Sequence, residues 1–418
     1  MGRKAAYTQP PRPVLERPDI EETLPMAPDR LPFPLAEYDT RIARTRAAMA
    51  ARGLELILTS DPSNMAWLTG YDGWSFYVHQ GVLLGLEGEP VWWGRRMDAF
   101  GARRTAFMAE ENISGYPDEF VQSTVRHPME HLARLIAGRR LDKARIGVEM
   151  DNYWFTAKAF EVLQRELPNA QFSDATGLVN WQRTVKSDNE IEFMRRAGRI
   201  MERVYEKVFE MVEPGLPKNR VVAEVYRIAL EGAEGHWGDY PAIVPMMGSG
   251  LDATAPHLTW DDQPFRNDEI TFFELSGCYR RYHCPLSRTV YLGRMPDKFR
   301  AAEQAVLAAS ERALERALPG STCEDVAIAF FDTLKKHGFE KDSRTGYSIG
   351  LSYPPDWGER TLSLRRGDLT VLEENMTIHF MPALWLDDGG IELSESIRIA
   401  PGGPEMLAKV PRKILVKG

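Results

Sequence analysis

Two hydrophobic periods alternate along the chain. Apolar residues at Leu35, Tyr38, Ile42 and Met49 share one helical face and Gly53 suits its stop, so the spacing predicts a helix from Leu35. LELILTS (54–60) reads as a buried strand, VLLGLEGEPVWWG (82–94) as a hairpin turning at Gly88-Glu89-Pro90, and RIGVEM (145–150) as another strand. Helices near 128–138 and 156–167 complete an α/β unit ending near residue 182. Ser187 with Glu190 forms a capping-box pattern. It opens a helix with an apolar face of Ile191, Met194, Met201, Val204, Tyr205, Val208 and Val212, which Pro214-Gly215 ends.

The stretch Ile270–Gly293, ITFFELSGCYRRYHCPLSRTVYLG, has β-branched and aromatic residues on either side of a polar segment containing Gly277. It predicts a hairpin of buried strands with one polar face, a natural place for an active site. The chain also echoes itself. Pro214-Gly215 before Val221-Val222-Ala223 is matched by Pro319-Gly320 before Val326-Ala327-Ile328, each following a long helix (187–212 and about 297–318) and each opening another. Residues 1–34 hold eight prolines with little apolar periodicity and read as an extended arm.

At 418 residues the chain is long enough for two or more cores. A net charge of -8 argues against a nucleic-acid partner, which would call for a basic face. No apolar run is long enough to predict a membrane span, and Arg3-Lys4 is not followed by the apolar stretch of a secretory signal. Cys278, Cys284 and Cys323 show no CxxC spacing and are expected to be reduced thiols of a cytoplasmic protein.

The hairpin, the lead-in QRTVKSDNEIE (182–192), GYSIGLSYPPDWGERT (346–361), ENMTIHFMPALW (374–385) and ELSESIRI (392–399) together resemble the creatinase, prolidase and methionine aminopeptidase superfamily. Within it they resemble the ectoine hydrolase family, over residues 35–418. The resemblance implies an α+β protein: an extended arm (1–34), a creatinase-like N-terminal α/β domain (35–185) and a pita-bread catalytic domain (186–418). It also implies a homodimer in which the N-terminal domain of one subunit covers the active site of its partner.

The resemblance puts the superfamily's five metal ligands here on Glu274, on Pro285 11 residues later, on Tyr347, on Met381 and on Ser394, with a further histidine of the family aligning near Pro354. Glu274 alone keeps a carboxylate. A hard divalent ion needs several oxygen or imidazole donors converging, so the resemblance implies catalysis without metal or other cofactor. A site rebuilt from His283, His379, Glu392 and Glu395 is the metal-dependent alternative.

The catalytic histidine of such metal-free hydrolases corresponds to His257, at the end of the glycine-led loop from Gly248. The implied substrates are ectoine and hydroxyectoine, whose cyclic amidinium opens to N-acetyl-2,4-diaminobutyrate. Glu274 would attack the amidinium carbon or activate water, unless it is merely salt-bridged to Arg280, Arg281 or Arg288. Tyr347 and His379 would hydrogen-bond the new amide oxygen or the ring nitrogens, and Glu392 and Glu395 the second nitrogen. Arg280, Arg281, Arg288 and Arg344 are candidates for the substrate carboxylate. Tyr282, Trp385 and, from the loop 68–77, Trp74 and Tyr77 are candidate aromatic walls. The same chemistry suits a creatinase-like hydrolase of another amidine or guanidine; an Xaa-Pro peptidase-like metalloenzyme and a non-catalytic binding protein are the remaining alternatives.

Overall fold

A computed structural model describes residues 30–418. The stretch read as an extended arm therefore lies, up to residue 29, outside the described residues. The first unit runs α1 (Leu35–Ala51), β1 (Leu56–Thr59), α2 (Pro62–Thr69), β2 (Gly81–Gly85), β3 (Val91–Arg95), α3 (Ala99–Thr105), β4 (Ile113–Tyr116), α4 (Pro128–Gly138), β5 (Arg145–Val148), α5 (Ala157–Glu166), β6 (Gln171–Asp174) and α6 (Leu178–Arg183). Its strands form one sheet in the order β4-β3-β2-β1-β5-β6. β1 is buried throughout and pairs antiparallel with β2 and parallel with β5. The face that α1 buries differs from the periodic reading: Leu35, in the first turn, is exposed, while Arg41 and Thr45 are buried beside Tyr38, Ile42 and Met49.

Arg41 is tolerated there because it meets carboxylates. Its guanidinium lies 2.7 Å from Glu37 and 3.4 Å from Glu190. Glu190 is the N3 residue of the predicted capping box, which opens α7 (Asp188–Met211): Ser187 Oγ accepts from its backbone N–H, and its carboxylate accepts from Ser187 N–H. The same carboxylate accepts from Trp67 Nε1 at 3.0 Å and from the Tyr282 hydroxyl at 2.6 Å. One helix cap thus ties the two units together.

The second unit continues with α8 (Lys218–Glu231), β7 (Met246–Ser249), β8 (Glu269–Tyr279), β9 (Tyr282–Leu292), α9 (Asp297–Leu314), α10 (Cys323–Lys336), β10 (Gly346–Ile349), β11 (Gly358–Ser363), β12 (Thr377–Phe380), β13 (Ala383–Leu386), β14 (Gly389–Glu392), β15 (Glu395–Arg398), β16 (Glu405–Met406) and β17 (Leu415–Lys417). Its sheets are ordered β17-β9-β8-β7 and β11-β10-β12-β15-β16, with β13-β14 a separate hairpin. α7 buries the predicted apolar face, and Gly277 on β8 lets the helix come close: a Cβ there would lie 2.1 Å from the Ala197 carbonyl oxygen.

The internal echo is a repeated structural unit. Gly215 and Gly320 both have φ near +90°, and each donates its N–H to a carbonyl of a distant strand-like segment, Phe265 and Leu372 respectively. Phe265 and Leu372 donate back to Leu216 and Ser321, at the same offset in each copy, just before α8 and α10.

Candidate active site

Glu274 is in the middle of β8, opposite Ser287 on β9 and Met246 on β7. Strand alternation puts Phe272, Glu274 and Ser276 on one face with their partners Thr289, Ser287 and Pro285. β14 and β15 fold across that face. Ser287 N–H donates to Ser394 Oγ at 2.7 Å, Ser396 Oγ to the Pro285 carbonyl at 2.6 Å, and Glu392 N–H to Thr289 Oγ1 at 2.9 Å. Glu392 is thereby brought into the electrostatic range of Glu274.

These two carboxyls define the electrostatics. Glu274 is 5% exposed and Glu392 is 1% exposed, and neither forms an ion pair within 4 Å among the described residues. Burial, then the charge of Glu392, then that of Asp356, pushes the Glu274 carboxyl well above the usual carboxylate range. Burial pushes Glu392 up to about 7, opposed by Lys341 and the Ser287 hydroxyl. That hydroxyl is near enough to favour the anion yet outside hydrogen-bond geometry, since Ser287 Oγ and both Glu392 oxygens lack a hydrogen-bond partner.

A polar chain borders the pair. Trp357 Nε1 donates to Tyr347 Oη at 2.7 Å, Tyr347 Oη lies 3.1 Å from His379 Nδ1, and His379 Nε2 lies 2.7 Å from Ser394 Oγ. Burial, then Arg344, pushes His379 down to about 3, so it is neutral at ordinary pH. The Arg344 guanidinium lies 4.3 Å from the Tyr347 ring centre, forms no ion pair among the described residues and is exposed.

The salt-bridge reading of Glu274 fails, because Arg281 pairs with Asp72 and Asp239, and Arg288 with Glu395. Three expected substrate-binding residues also move out of the set. Arg288 spends its donors on Glu395 and the carbonyls of Ser287, Ser394, Val410 and Pro411. Glu395 is consumed by that pair. Tyr282, at the far end of the hairpin, donates to Glu190 and packs against Phe33 and Phe193.

Trp385 is half-buried with its ring 5.3 Å from Phe272, on the Glu274 face of β8. His257 is exposed and makes no hydrogen bond to Glu274; its loop borders the site through Leu258, whose carbonyl accepts from Met247 N–H on β7. Trp74 and Tyr77 are 60% and 62% exposed on the N-terminal unit, where Trp74 stacks on Phe76 and Tyr77 Oη accepts from Arg95. No contact within the chain joins either to Glu274. Sequence reasoning passed over Asp356, Trp357 and Lys341. The only signal was that they lie in or near the segment 346–361; their side chains enter through loops without periodicity.

The donors do not suit the metal of the superfamily. Pro285 offers none, Met381 offers a thioether, and Tyr347, His379 and Ser394 are hydrogen-bonded to one another. The rebuilt alternative is dispersed as well: His283 accepts from Ala242 N–H, Glu395 holds Arg288, and among the described residues no group of three or more His, Cys, Asp or Glu is placed to hold an ion.

Comparison with known proteins places this arrangement. The creatinase/prolidase N-terminal domain matches residues 41–185, and metallopeptidase family M24 matches residues 192–401. An ectoine hydrolase from Halomonas elongata is 56% identical over 394 residues, 93% of this chain and 99% of that protein. A creatinase from a Bacillus species is 23% identical over 398 residues, 91% of this chain and 92% of that protein. A prolidase from Thermococcus sibiricus has the same fold at a TM-score of 0.78 and 17% identity, covering 91% of this chain and 99% of its own. With both halves matched and a relative more than half identical across nearly its full length, the chain belongs to metallopeptidase family M24, in the form that carries a creatinase/prolidase N-terminal domain.

Proposed function

We propose that this protein hydrolyses the cyclic amidinium ring of ectoine, and of hydroxyectoine, to N-acetyl-2,4-diaminobutyrate without a metal. Its similarity to an ectoine hydrolase supports the substrate class. The observation that carries the reading is the pair of buried carboxyls, Glu274 and Glu392, neither of which forms an ion pair within 4 Å among the described residues, with Lys341 acting on Glu392 from farther away. Buried like charges without a direct ion pair are costly, and a delocalised amidinium placed between them relieves that cost and displaces the shared proton.

In this reading the Glu274 carboxylate takes a proton from the water that adds to the amidinium carbon, or attacks that carbon itself and is freed when water then cleaves the Glu274 adduct. Glu392 accepts from a ring N–H, and the departing nitrogen takes up the proton that the carboxyl pair receives from the attacking water. One C–N bond breaks, the added oxygen becomes the amide oxygen, and the leaving nitrogen departs as an amine. Tyr347 donates towards the developing oxygen, Arg344 takes the substrate carboxylate, and Trp385 is a ring for the cation. His257, whose loop borders the site, gives or takes a proton as the tetrahedral centre forms and collapses. Trp74 and Tyr77 cover the site of a second subunit in a homodimer with units 35–185 and 186–418. A cytoplasmic location accords with three buried free cysteines.

Ring opening assayed with purified protein in EDTA tests the reading. Turnover of ectoine is expected. Inactivity on ectoine together with activity on a creatine-like guanidine would replace the substrate and leave the fold assignment standing.

A further inference from the structure

Away from Glu274, the tip of the β8–β9 hairpin meets the N-terminal unit around a cavity of about 290 Å³. Phe33, Trp237 and Tyr353 give it aromatic walls. Its polar lining has an excess of cations, with Arg30, Arg280 and Arg281 against Asp72 and Asp239. Arg281 is occupied: its Nε donates to Asp72 at 3.0 Å, its Nη1 lies 3.1 Å from Asp239 Oδ1, and its guanidinium lies 3.6 Å from the Tyr240 ring centre. Arg280 forms no ion pair among the described residues. Asp239 is only 6% exposed, and its Oδ2 is buried without a hydrogen-bond partner.

The two-residue turn adds an independent sign of function. Arg280 and Arg281 both have positive φ, +48° and +67°, where a hairpin of this kind ordinarily uses Asn-Gly. Strain of that sort persists at ligand clamps because the surrounding structure imposes it. Here it aims two guanidinium groups at one cavity.

We propose that this cavity is a second ligand site, taking a small zwitterionic amino acid with its ammonium group on Asp239 Oδ2 and its carboxylate on Arg280. The orphaned acceptor calls for a donor, the surplus of cations calls for an anion, and the volume suits a molecule with both. Burial pushes the Asp239 carboxyl up to about 6 against the lowering effect of Arg281, as expected for an acid whose counter-charge is incomplete. An occupant here bridges the N-terminal unit and the ladder that carries Glu274. The assignment does not depend on which substrate the active site takes.

Isothermal titration of L-leucine, a zwitterion without net charge, into the full chain tests it. Binding is expected in the wild type and in Glu274→Gln, weakened at least tenfold in Asp239→Asn and in Arg280→Ala. Arg280→Ala, at a turn, decides the matter if Asp239→Asn fails to fold. No binding by the wild type at millimolar probe overturns the proposal. Binding lost in Glu274→Gln would assign the probe to the active site, and binding unchanged in both cavity variants would place it elsewhere; either result also overturns the proposal.

Discussion

Tyr347 and His379 face each other as register partners across β10 and β12, with the phenol oxygen 3.1 Å from the imidazole Nδ1. Since Trp357 Nε1 has only a proton to give, Tyr347 accepts from it and keeps its own proton for His379 or for the substrate. Tyr347→Phe therefore leaves two buried ring nitrogens without a partner. A loss of about 1–3 kcal/mol of stability is expected in urea unfolding, together with a lower kcat. Unchanged unfolding would mean that the chain of hydrogen bonds is not formed in solution.

Glu392 tests the electrostatics by pH. Its folded value of about 7 exceeds the 4.5 of an unfolded glutamate, so its contribution to stability is fully present below about 4.5 and is lost as pH rises through about 7. Glu392→Gln lacks this dependence. The stability difference, variant minus wild type, is expected to grow across that window, and parallel profiles would refute the assignment. In the wild type, a cationic substrate must displace the proton held by the pair, so kcat/KM is expected to rise with pH through about 7.

Two arginines that look alike in sequence should behave oppositely. Arg288→Met breaks a buried pair with Glu395 and is expected to cost about 3–5 kcal/mol or to prevent folding. Arg344→Ala removes an exposed side chain without an ion pair; stability should hold while KM for ectoine rises at least tenfold. An unaltered KM would remove Arg344 from substrate binding.

Chelation addresses the chemistry directly. If Pro285, Tyr347, Met381 and Ser394 stand at the superfamily's ligand positions, as the sequence resemblance implies, activity is expected to survive exhaustive EDTA treatment. Loss that a divalent ion restores would reverse that reading. Glu274→Gln should abolish turnover while keeping a cooperative unfolding transition, because the substitution removes a carboxylate that has no ion pair to lose.

Local patterns determined much of this protein. The capping box at Ser187, the Pro-Gly echo, the α7 face and the 11-residue strands of the central hairpin are set by interactions within a few residues, and the chain displays them directly. Glu274 was legible for a related reason: an acid in an apolar strand stands out against its neighbours. Only the tertiary structure decided what each polar side chain meets. Arg288 and Arg344 differ by whether β15 and the C-terminal carbonyls fold over them. Tyr282 is claimed by a helix cap in its own unit, together with the N-terminal unit's Arg41 and Trp67. Glu392 becomes a partner of Glu274 because β14 is laid across the hairpin. Burial and charge neighbours are long-range properties of packing, and no periodicity in sequence encodes them.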